Sequence, residues 1–530
     1  MSRAVDSLAA LQRELSALFG GDTVDHVHWG VRFHSIRHDR TIYSLNPSHF
    51  MVPASNQKLL TAAVAAERLG WDYRFTTRLL ATAAPDADGM IEGDLIVVSN
   101  GDPTINRRHP DRWDVFDRWA VALKARGIRA IQGRLLGDDS AFAEPALGMG
   151  WAWDNLQYGY GAPPSALQYN ENQVEVIVMP GLSAGGRAII ATSPPGSGLV
   201  IDNQVTTVGE KEETFVDIAR LPGTKSVTVR GQVGAEARPV TVTASIDDPT
   251  RFYLNALRDA LWRQDIVFTH GSADLDTLEE PPSRERITEL LVDTSPPLSE
   301  IIDVTMKWSR NIYAETLLLA TSPPGEPASG VRGLRSMRET LEAWGIVPEA
   351  YLPRDGSGLS RYDYVSADML TRLLIHMWNS PKHARTYEST LPVAGVSGLL
   401  ATRMRGTPAE GRVRAKTGTL SNVRALSGYL STLDGDTVVF SMMANNFRVG
   451  TAEIDRIMDA ALNAVVRRRG GPSGPADQLP RSTGGSRDPE FRHRSEAFGI
   501  RRVRSAPTIG FFAQPGQHRF AIMREQRPER

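Results

Sequence analysis

The stretch PASNQKLLTAAVAAERLG, residues 53–70, puts Ser55 three positions ahead of Lys58 at the start of an Ala-rich helical pattern. A serine hydroxyl is a poor nucleophile until a neighbouring base removes its proton. On a helix, positions i and i+3 share a face, about 5–6 Å apart at Cβ. Ser55 and Lys58 can therefore share a hydrogen bond if Ser55 begins the helix. Arginine cannot serve as the base, because its guanidinium keeps its proton in proteins. Of the 60 Lys plus Arg in this chain only seven are Lys, and no other Lys has a Ser three residues before it. The amine needs a lowered pKa, which burial and a second cation supply. Taken alone, the same spacing also describes an N-cap serine followed by a surface lysine.

Two further stretches carry groups that fit the same chemistry. In KWSRNIYAE, Ser309 and Asn311 are two apart, and residues two apart do not share a helix face. For both to point into one site, the helical pattern must break there, giving two helices at a tight corner. In RAKTGTLSNVRALSGYL, the run Lys416-Thr417-Gly418-Thr419 suits an edge strand that a substrate approaches closely. A cation and a hydroxyl there can hold a terminal carboxylate.

Rival motifs lack their context. Gly181-Leu182-Ser183-Ala184-Gly185 is a literal G-x-S-x-G, but that elbow must lead from a strand into a helix. Here Pro180 precedes it and the strand-like RAIIATS follows, so a hairpin turn is expected. His26 and His28 alternate as on a strand, with no third ligand placed nearby for zinc. No metal site and no cofactor is expected.

The elements that must position these groups are readable from periodicity. The spacing of Leu8, Leu11, Leu15 and Leu18 predicts a short amphipathic helix. A helix over 55–69 ends at Gly70. A strand is expected over 91–99, and QVEVIVMP, RAIIATS, SVTVRGQV and PVTVTASI read as strands of a β-rich module. Helices follow over 298–320 and 331–344. RALSGYLSTL and DTVVFSMMA form a strand pair around Asp434-Gly435, and a last helix ends near Arg467. A chain of 530 residues is too long for one ordinary core. Hydrophobic residues at 41% and charged residues at 23% are the balance of a globular protein, and a net charge of -1 gives no global pull toward nucleic acid or a membrane surface. The absence of cysteine excludes disulfides and thiolate chemistry. No apolar run is long enough for a transmembrane anchor. Residues 467–530 hold 14 Arg, no Lys and six acidic residues among Gly, Pro and Ser, and are expected to be disordered.

The order S-x-x-K, S-x-N, K-T-G is the set of the penicillin-recognising serine enzymes. The chain resembles the low-molecular-mass penicillin-binding proteins, in the D-alanyl-D-alanine carboxypeptidase/endopeptidase group with a large insertion. The 254-residue separation between Ser55 and Ser309 fits that group. So do VVSNGDPTI at 97–105, GDDSAF at 137–142, GWAWDNLQYGYGAPPSALQYNEN at 150–172, DGSGLSR at 355–361 and LPVAGVSGLL at 391–400. The resemblance spans roughly residues 5 to 466.

It implies that Ser55 is the acylated nucleophile, Lys58 its base, and Ser309 a proton relay to the leaving group. Asn311 would position the substrate amide, and Lys416 and Thr417 would bind the terminal carboxylate. The N–H groups of Ser55 and Thr419 would form the oxyanion hole, and Arg361 and Tyr160 would line the substrate pocket. The group tends to place a carboxylate, for the amine of a diaminopimelate side chain, where this chain has Asn155, with Asp154 just before it. The implied fold is an α/β penicillin-binding-protein/β-lactamase-like transpeptidase domain, an antiparallel sheet with helices on both faces. It would be built from 1–80 and 290–466, with a β-rich insertion of one or two modules at 81–289. The implied partners are peptidoglycan stem peptides and cross-links, with β-lactam antibiotics as covalent inhibitors. The alternatives are a β-lactamase or esterase of the same superfamily, and a peptidoglycan-binding scaffold without turnover. Such a substrate lies in the periplasm or outside the cell. No signal peptide is visible, so the true start is expected upstream, or the chain is written in mature form.

Overall fold

Alternation along two neighbouring strands sets the centre of the molecule. In Val423–Ser431 and Thr437–Asn445, Ala425, Tyr429, Val439 and Met443 share one face, and Leu426, Leu430, Val438 and Phe440 share the other. All eight are buried, so both faces of the sheet must be covered. The computed structural model describes residues 2–21, 24, 26–143, 147–283 and 285–468, without the side chains of 2–7 and 110. The expected tail lies outside the described residues from 469 onward, while Arg467 is the last residue of a helix.

The sheet has five strands, all antiparallel, in the order Val413–Leu420, Val423–Ser431, Thr437–Asn445, His28–Ser35, Arg40–Leu45. It thus joins the two ends of the folded chain. One face packs on helices Gln57–Leu69, Leu298–Lys307, Asn311–Ala320 and Ala367–Asn379. The other packs on Ser2–Phe19, through Leu11 and Leu15, and on Thr451–Arg467. The strand carrying Lys416, Thr417 and Gly418 is the edge strand, as its sequence suggests. The helical stretch over 298–320 breaks at Ser309, whose φ is +58°, into the two helices that a shared Ser309–Asn311 site requires.

Between these halves the chain makes a large excursion. Its entry and exit strands, Thr76–Ala81 and Thr288–Thr294, pair antiparallel, so the excursion leaves and returns at one place. Its core is separate, built from residues such as Val97, Trp119, Val176, Val229 and Leu257. The expected 91–99 strand is two pieces, Met90–Ile91 and Leu95–Ser99. Gly93 lies in the break, where a Cβ would meet the Thr82 hydroxyl at 2.3 Å. Besides the strands read from sequence, the excursion holds helices Val115–Ala125 and Pro249–Arg263. Its Gly181–Gly185 run is a turn between strands Gln173–Met179 and Ile189–Ser193, with Ser183 exposed. His28 begins a strand and stacks on His49 at 5.5 Å.

Two glycines let backbone reach the start of the Gln57–Leu69 helix. A Cβ on Gly418 would lie 2.7 Å from the Pro53 carbonyl oxygen. At Gly358, with φ +80°, it would lie 1.9 Å from the Ala54 carbonyl oxygen. Gly70 has a similar φ, +84°, but nothing within 4 Å. Its ψ of 153° lies where essentially only glycine is found, so Gly70→Ala should lose the backbone preference alone, about 1–3 kcal/mol. Gly358→Ala should lose more, about 1–3 kcal/mol beyond that, because backbone must also move. Urea unfolding of the two variants measures the difference, and equal losses would show that the close approach at Gly358 is not a constraint.

Candidate active site

Ser55 sits in a 3-10 turn, Ala54–Asn56, that runs straight into the helix carrying Lys58. Ala54 has φ +46°, in the left-handed region that a non-glycine residue rarely occupies. The turn is tied down from beneath by Asn56, whose amide donates to Ser427 Oγ at 2.7 Å on the central sheet.

Lys58 is fully buried and makes three hydrogen bonds. Its Nζ reaches Ser55 Oγ at 2.9 Å, Asn311 Oδ1 at 2.7 Å and the Ser357 carbonyl at 2.7 Å. The last two acceptors hold two N–H groups, so a neutral Lys58 directs its lone pair at the Ser55 hydroxyl. Burial pushes its pKa down to about 7, partly opposed by the fields of Asp355 and Glu315. A lysine that is neutral near pH 7 can take the serine proton.

The corner between helices Leu298–Lys307 and Asn311–Ala320 turns both expected groups inward. Lys416 Nζ donates to Ser309 Oγ at 2.8 Å and to the Thr417 carbonyl at 2.8 Å. Lys416 is also fully buried, and its pKa is driven well down by desolvation and by the nearby Lys58. The Asn311 amide is oriented from the far side, since its Nδ2 donates to the Tyr160 carbonyl at 2.8 Å.

A cleft of about 430 Å³ opens over these groups. Ser55, Ser309, Asn311, Thr417 and Thr419 line it, and so do Asp154, Asn155, Tyr160 and Arg361. The eleven residues singled out in the sequence thus converge: nine on the wall, with Lys58 and Lys416 buried and hydrogen-bonded to wall residues. Arg361 donates to the Ser421 carbonyl at 2.9 Å, and Thr419 accepts from Arg424. Tyr160 Oη donates to Asn155 Oδ1 at 3.1 Å, while Asp154 is exposed on the cleft wall.

Three buried acids under the cleft are not read from the sequence. Glu315 accepts from the N–H groups of Gly356 and Ser357 at 2.8–3.2 Å. Asp355 accepts from Gly358 N and Ser360 N, both at 2.7 Å, and from Trp151 Nε1 at 2.8 Å. Asp363 Oδ1 accepts from Arg354 N at 2.5 Å. Together they shape the 355–363 loop so that the Ser357 carbonyl faces Lys58. Burial, then repulsion by Asp355, pushes Glu315 up to about 8.

Residues 11–467 match the D-Ala-D-Ala carboxypeptidase 3 (S13) family, and the chain belongs to it. It is therefore a serine-type peptidase. It is 34% identical over 463 residues to a D-alanyl-D-alanine carboxypeptidase of Actinomadura sp. (strain R39), covering 84% of this chain and 83% of that one. Its fold is similar to that of penicillin binding protein 4 (dacB) from Haemophilus influenzae, with a TM-score of 0.74, 25% identity, and coverage of 86% of this chain and 99% of that one. A complex of the Haemophilus protein with a β-lactam matches with a TM-score of 0.68 at 25% identity, over 85% of this chain and 97% of that one.

Glu315 separates positioning from charge. Glu315 is pushed up to about 8 and so is mostly protonated where Lys58 titrates, and Glu315→Gln keeps an acceptor for the two loop N–H groups while changing little charge there. The acid limb of the benzylpenicillin acylation profile and its plateau should both be little changed. Glu315→Ala removes the acceptor, an unpaired-donor loss of about 1–3 kcal/mol, and should lower the plateau by about tenfold or more. A limb shifted to lower pH in the Gln variant would show that Glu315 is ionised where Lys58 titrates, and a normal plateau in the Ala variant would remove Glu315 from the site.

Proposed function

We propose that the chain cleaves the terminal D-Ala-D-Ala bond of peptidoglycan stem peptides, and cross-links of the same chemistry, through an acyl-enzyme on Ser55. The observation that carries this reading is the buried Lys58 amine, 2.9 Å from Ser55 Oγ with its other two N–H groups held by Asn311 and Ser357. A scaffold needs no such base.

Lys58 takes the Ser55 proton as Oγ bonds to the carbonyl carbon of the penultimate D-Ala. The oxyanion is received by the N–H groups of Ser55 and Thr419, each such donor worth roughly 10²–10³ in rate. Ser309, linked to Lys416, passes a proton to the departing D-Ala nitrogen as the C–N bond breaks. Water then attacks the ester and releases the shortened peptide. Lys416 and Thr417 hold the substrate's terminal carboxylate before it leaves, and Asn311 orients its amide. Arg361 and Tyr160 border the stem peptide. Asp154 supplies the carboxylate for an ammonium group on the peptide's third side chain, and Asn155 is engaged by Tyr160. A penicillin offers the same carboxylate to Lys416 and Thr417, but its leaving group stays tethered after acylation.

We also infer that residues 81–289 act as one insertion in a catalytic domain formed by 1–80 and 290–466. The substrate class implies a periplasmic or extracellular site of action. Among the described residues no helix is long and apolar enough to cross a membrane.

Incubation with benzylpenicillin, followed by digestion and mass analysis, tests the reading. The expected outcome is a long-lived adduct on the peptide containing Ser55, lost in Ser55→Ala and unaffected in Ser183→Ala. Rapid release of hydrolysed drug would indicate a β-lactamase, and neither product would indicate a scaffold. Lys58→Arg keeps the charge without the base, so acylation should fall by about 10²–10⁴. Near-normal acylation in that variant would assign the Ser55 proton to another group.

A further inference from the structure

The stretch GWAWDNLQYGYGAPPSALQYNEN ends on three residues to which the reaction gives no role, Asn170, Glu171 and Asn172. Their φ values are +49°, +58° and +50°, so three successive non-glycine residues take left-handed backbone. Such backbone disfavours L side chains and usually runs for a single residue. The two asparagines suit it, and both are tied to their surroundings. Asn170 Nδ2 donates to the Gln173 carbonyl at 2.7 Å, and Asn172 Nδ2 donates to the Pro163 carbonyl at 2.8 Å. A glutamate between them has no such preference. What this backbone gives Glu171 is the placement of its carboxylate.

The Glu171 side chain is only 3% exposed. Its Oε1 accepts from Arg108 Nε at 2.5 Å. Its Oε2 accepts from Gln173 Nε2 at 2.8 Å and from Arg310 Nη2. Arg310 stands between Ser309 and Asn311, and its side chain is 22% exposed. Its Nε is buried and has no hydrogen-bond partner among the described residues, so the guanidinium is held through its Nη2 bond to Glu171.

The corner that Arg310 belongs to carries two groups of the reaction. Ser309 Oγ accepts from Lys416 Nζ at 2.8 Å, and Asn311 Oδ1 accepts from Lys58 Nζ at 2.7 Å. Ser309 has left-handed backbone of its own. Two unfavourable backbone segments, one in the excursion and one in the catalytic half, thus meet through a single buried ion pair. Charge-assisted bonds of this kind are among the strongest a side chain makes, and they fix direction as well as distance.

We propose that Glu171 is a positioning residue for acyl transfer, acting through Arg310 to keep Ser309 and Asn311 on their two lysines. The role rests on the acyl-enzyme reading above and adds a residue to it. Glu171 does not line the cleft and touches none of the reacting groups. Lys416 and Thr417, which take the carboxylate of a penicillin, lie on the edge strand and not on the corner. Loosening the corner should therefore slow the acylation step more than it weakens capture of the drug. A displacement of about 1 Å at a reacting group can cost about 10² in rate.

Acylation of the full chain by benzylpenicillin, followed by stopped flow against drug concentration, separates the limiting acylation rate from the dissociation constant of the preceding complex. Glu171→Gln keeps the side-chain length but removes the carboxylate, and Arg310→Met removes its partner. Each should lower the limiting rate at least about tenfold and change the dissociation constant less than about threefold. The double variant should match the slower single variant within about threefold, because both changes break one pair. Arg134→Met breaks a different ion pair of the excursion, with Asp94, and should cost stability without lowering the limiting rate. Thermal melting shows which variants are folded at the assay temperature. If Glu171→Gln does not fold, Arg310→Met decides. A limiting rate within about twofold of wild type in a folded single variant overturns the positioning role. So do losses that multiply in the double variant, a loss confined to the dissociation constant, or an equal loss of rate in Arg134→Met. A wild type that forms no adduct on Ser55 fails the acyl-transfer reading, and the positioning role falls with it. A normal wild-type adduct with unaffected variants removes the positioning role alone.

Discussion

The site depends on keeping one lysine amine out of water between three oxygens from three parts of the chain. Ser55, Asn311 and the Ser357 carbonyl surround Lys58, and each comes from a segment placed by a different piece of the fold. Lowering a lysine from 10.5 to about 7 means that folding excludes a proton the unfolded chain would hold. The cost, on the order of 5 kcal/mol, is fully present below pH 7 and disappears as pH rises toward 10.5. Glu315 carries the opposite bias. Its pKa is raised, so its contribution is most favourable in acid and is lost as pH rises from about 4.5 to 8. The two biases oppose each other near neutrality, where the base must be free to act.

Lys416 adds a second buried amine to the same region. Two ammonium groups there would repel, and Lys58 favours the neutral form of Lys416. The Ser309 hydroxyl is held on Lys416 as Ser55 is held on Lys58. The cleft therefore presents two serine hydroxyls, each on its own lysine. One arrangement suits proton removal at the nucleophile, the other proton delivery at the leaving group.

Much of this was legible in the sequence, for identifiable reasons. Ser55 and Lys58 are readable because i and i+3 share a helix face. Asn311 is readable because it could join them only if the helix broke, and Ser309 does break it with φ +58°. The edge position of Lys416 followed from the Gly after Thr417 and the hairpin beyond. The acids were not legible in the same way. Glu315 lies one turn beyond Asn311, where spacing alone does not separate it from an ordinary helix residue. Asp355 and Asp363 bind backbone N–H groups, and the group that touches Lys58 is a carbonyl, which no side-chain pattern reveals. The helix Pro249–Arg263 did have a signal: Asp248 caps it through Arg251 N, and Pro249 opens it. The strand-like runs before it mask that signal.

The large excursion between the first two motifs reaches the chemistry by more than proximity. Its Tyr160 carbonyl fixes which way the Asn311 amide faces, and so which atom Lys58 meets. Its buried Glu171 pairs with Arg310, the residue between Ser309 and Asn311, and with Arg108 at 2.5 Å. Gln168 and Asn106 add bonds to Thr316 and Tyr313 on the following helix, at 2.9 and 2.8 Å. Tyr160 stacks on Tyr158 at 5.3 Å, and Tyr158 donates to Asp217 at 2.7 Å on a strand of the excursion. A strained corner with a positive-φ serine persists only where its surroundings over-determine it. Here those surroundings include the excursion, so Tyr160, on the cleft wall, also helps to hold the Ser309–Asn311 corner in shape.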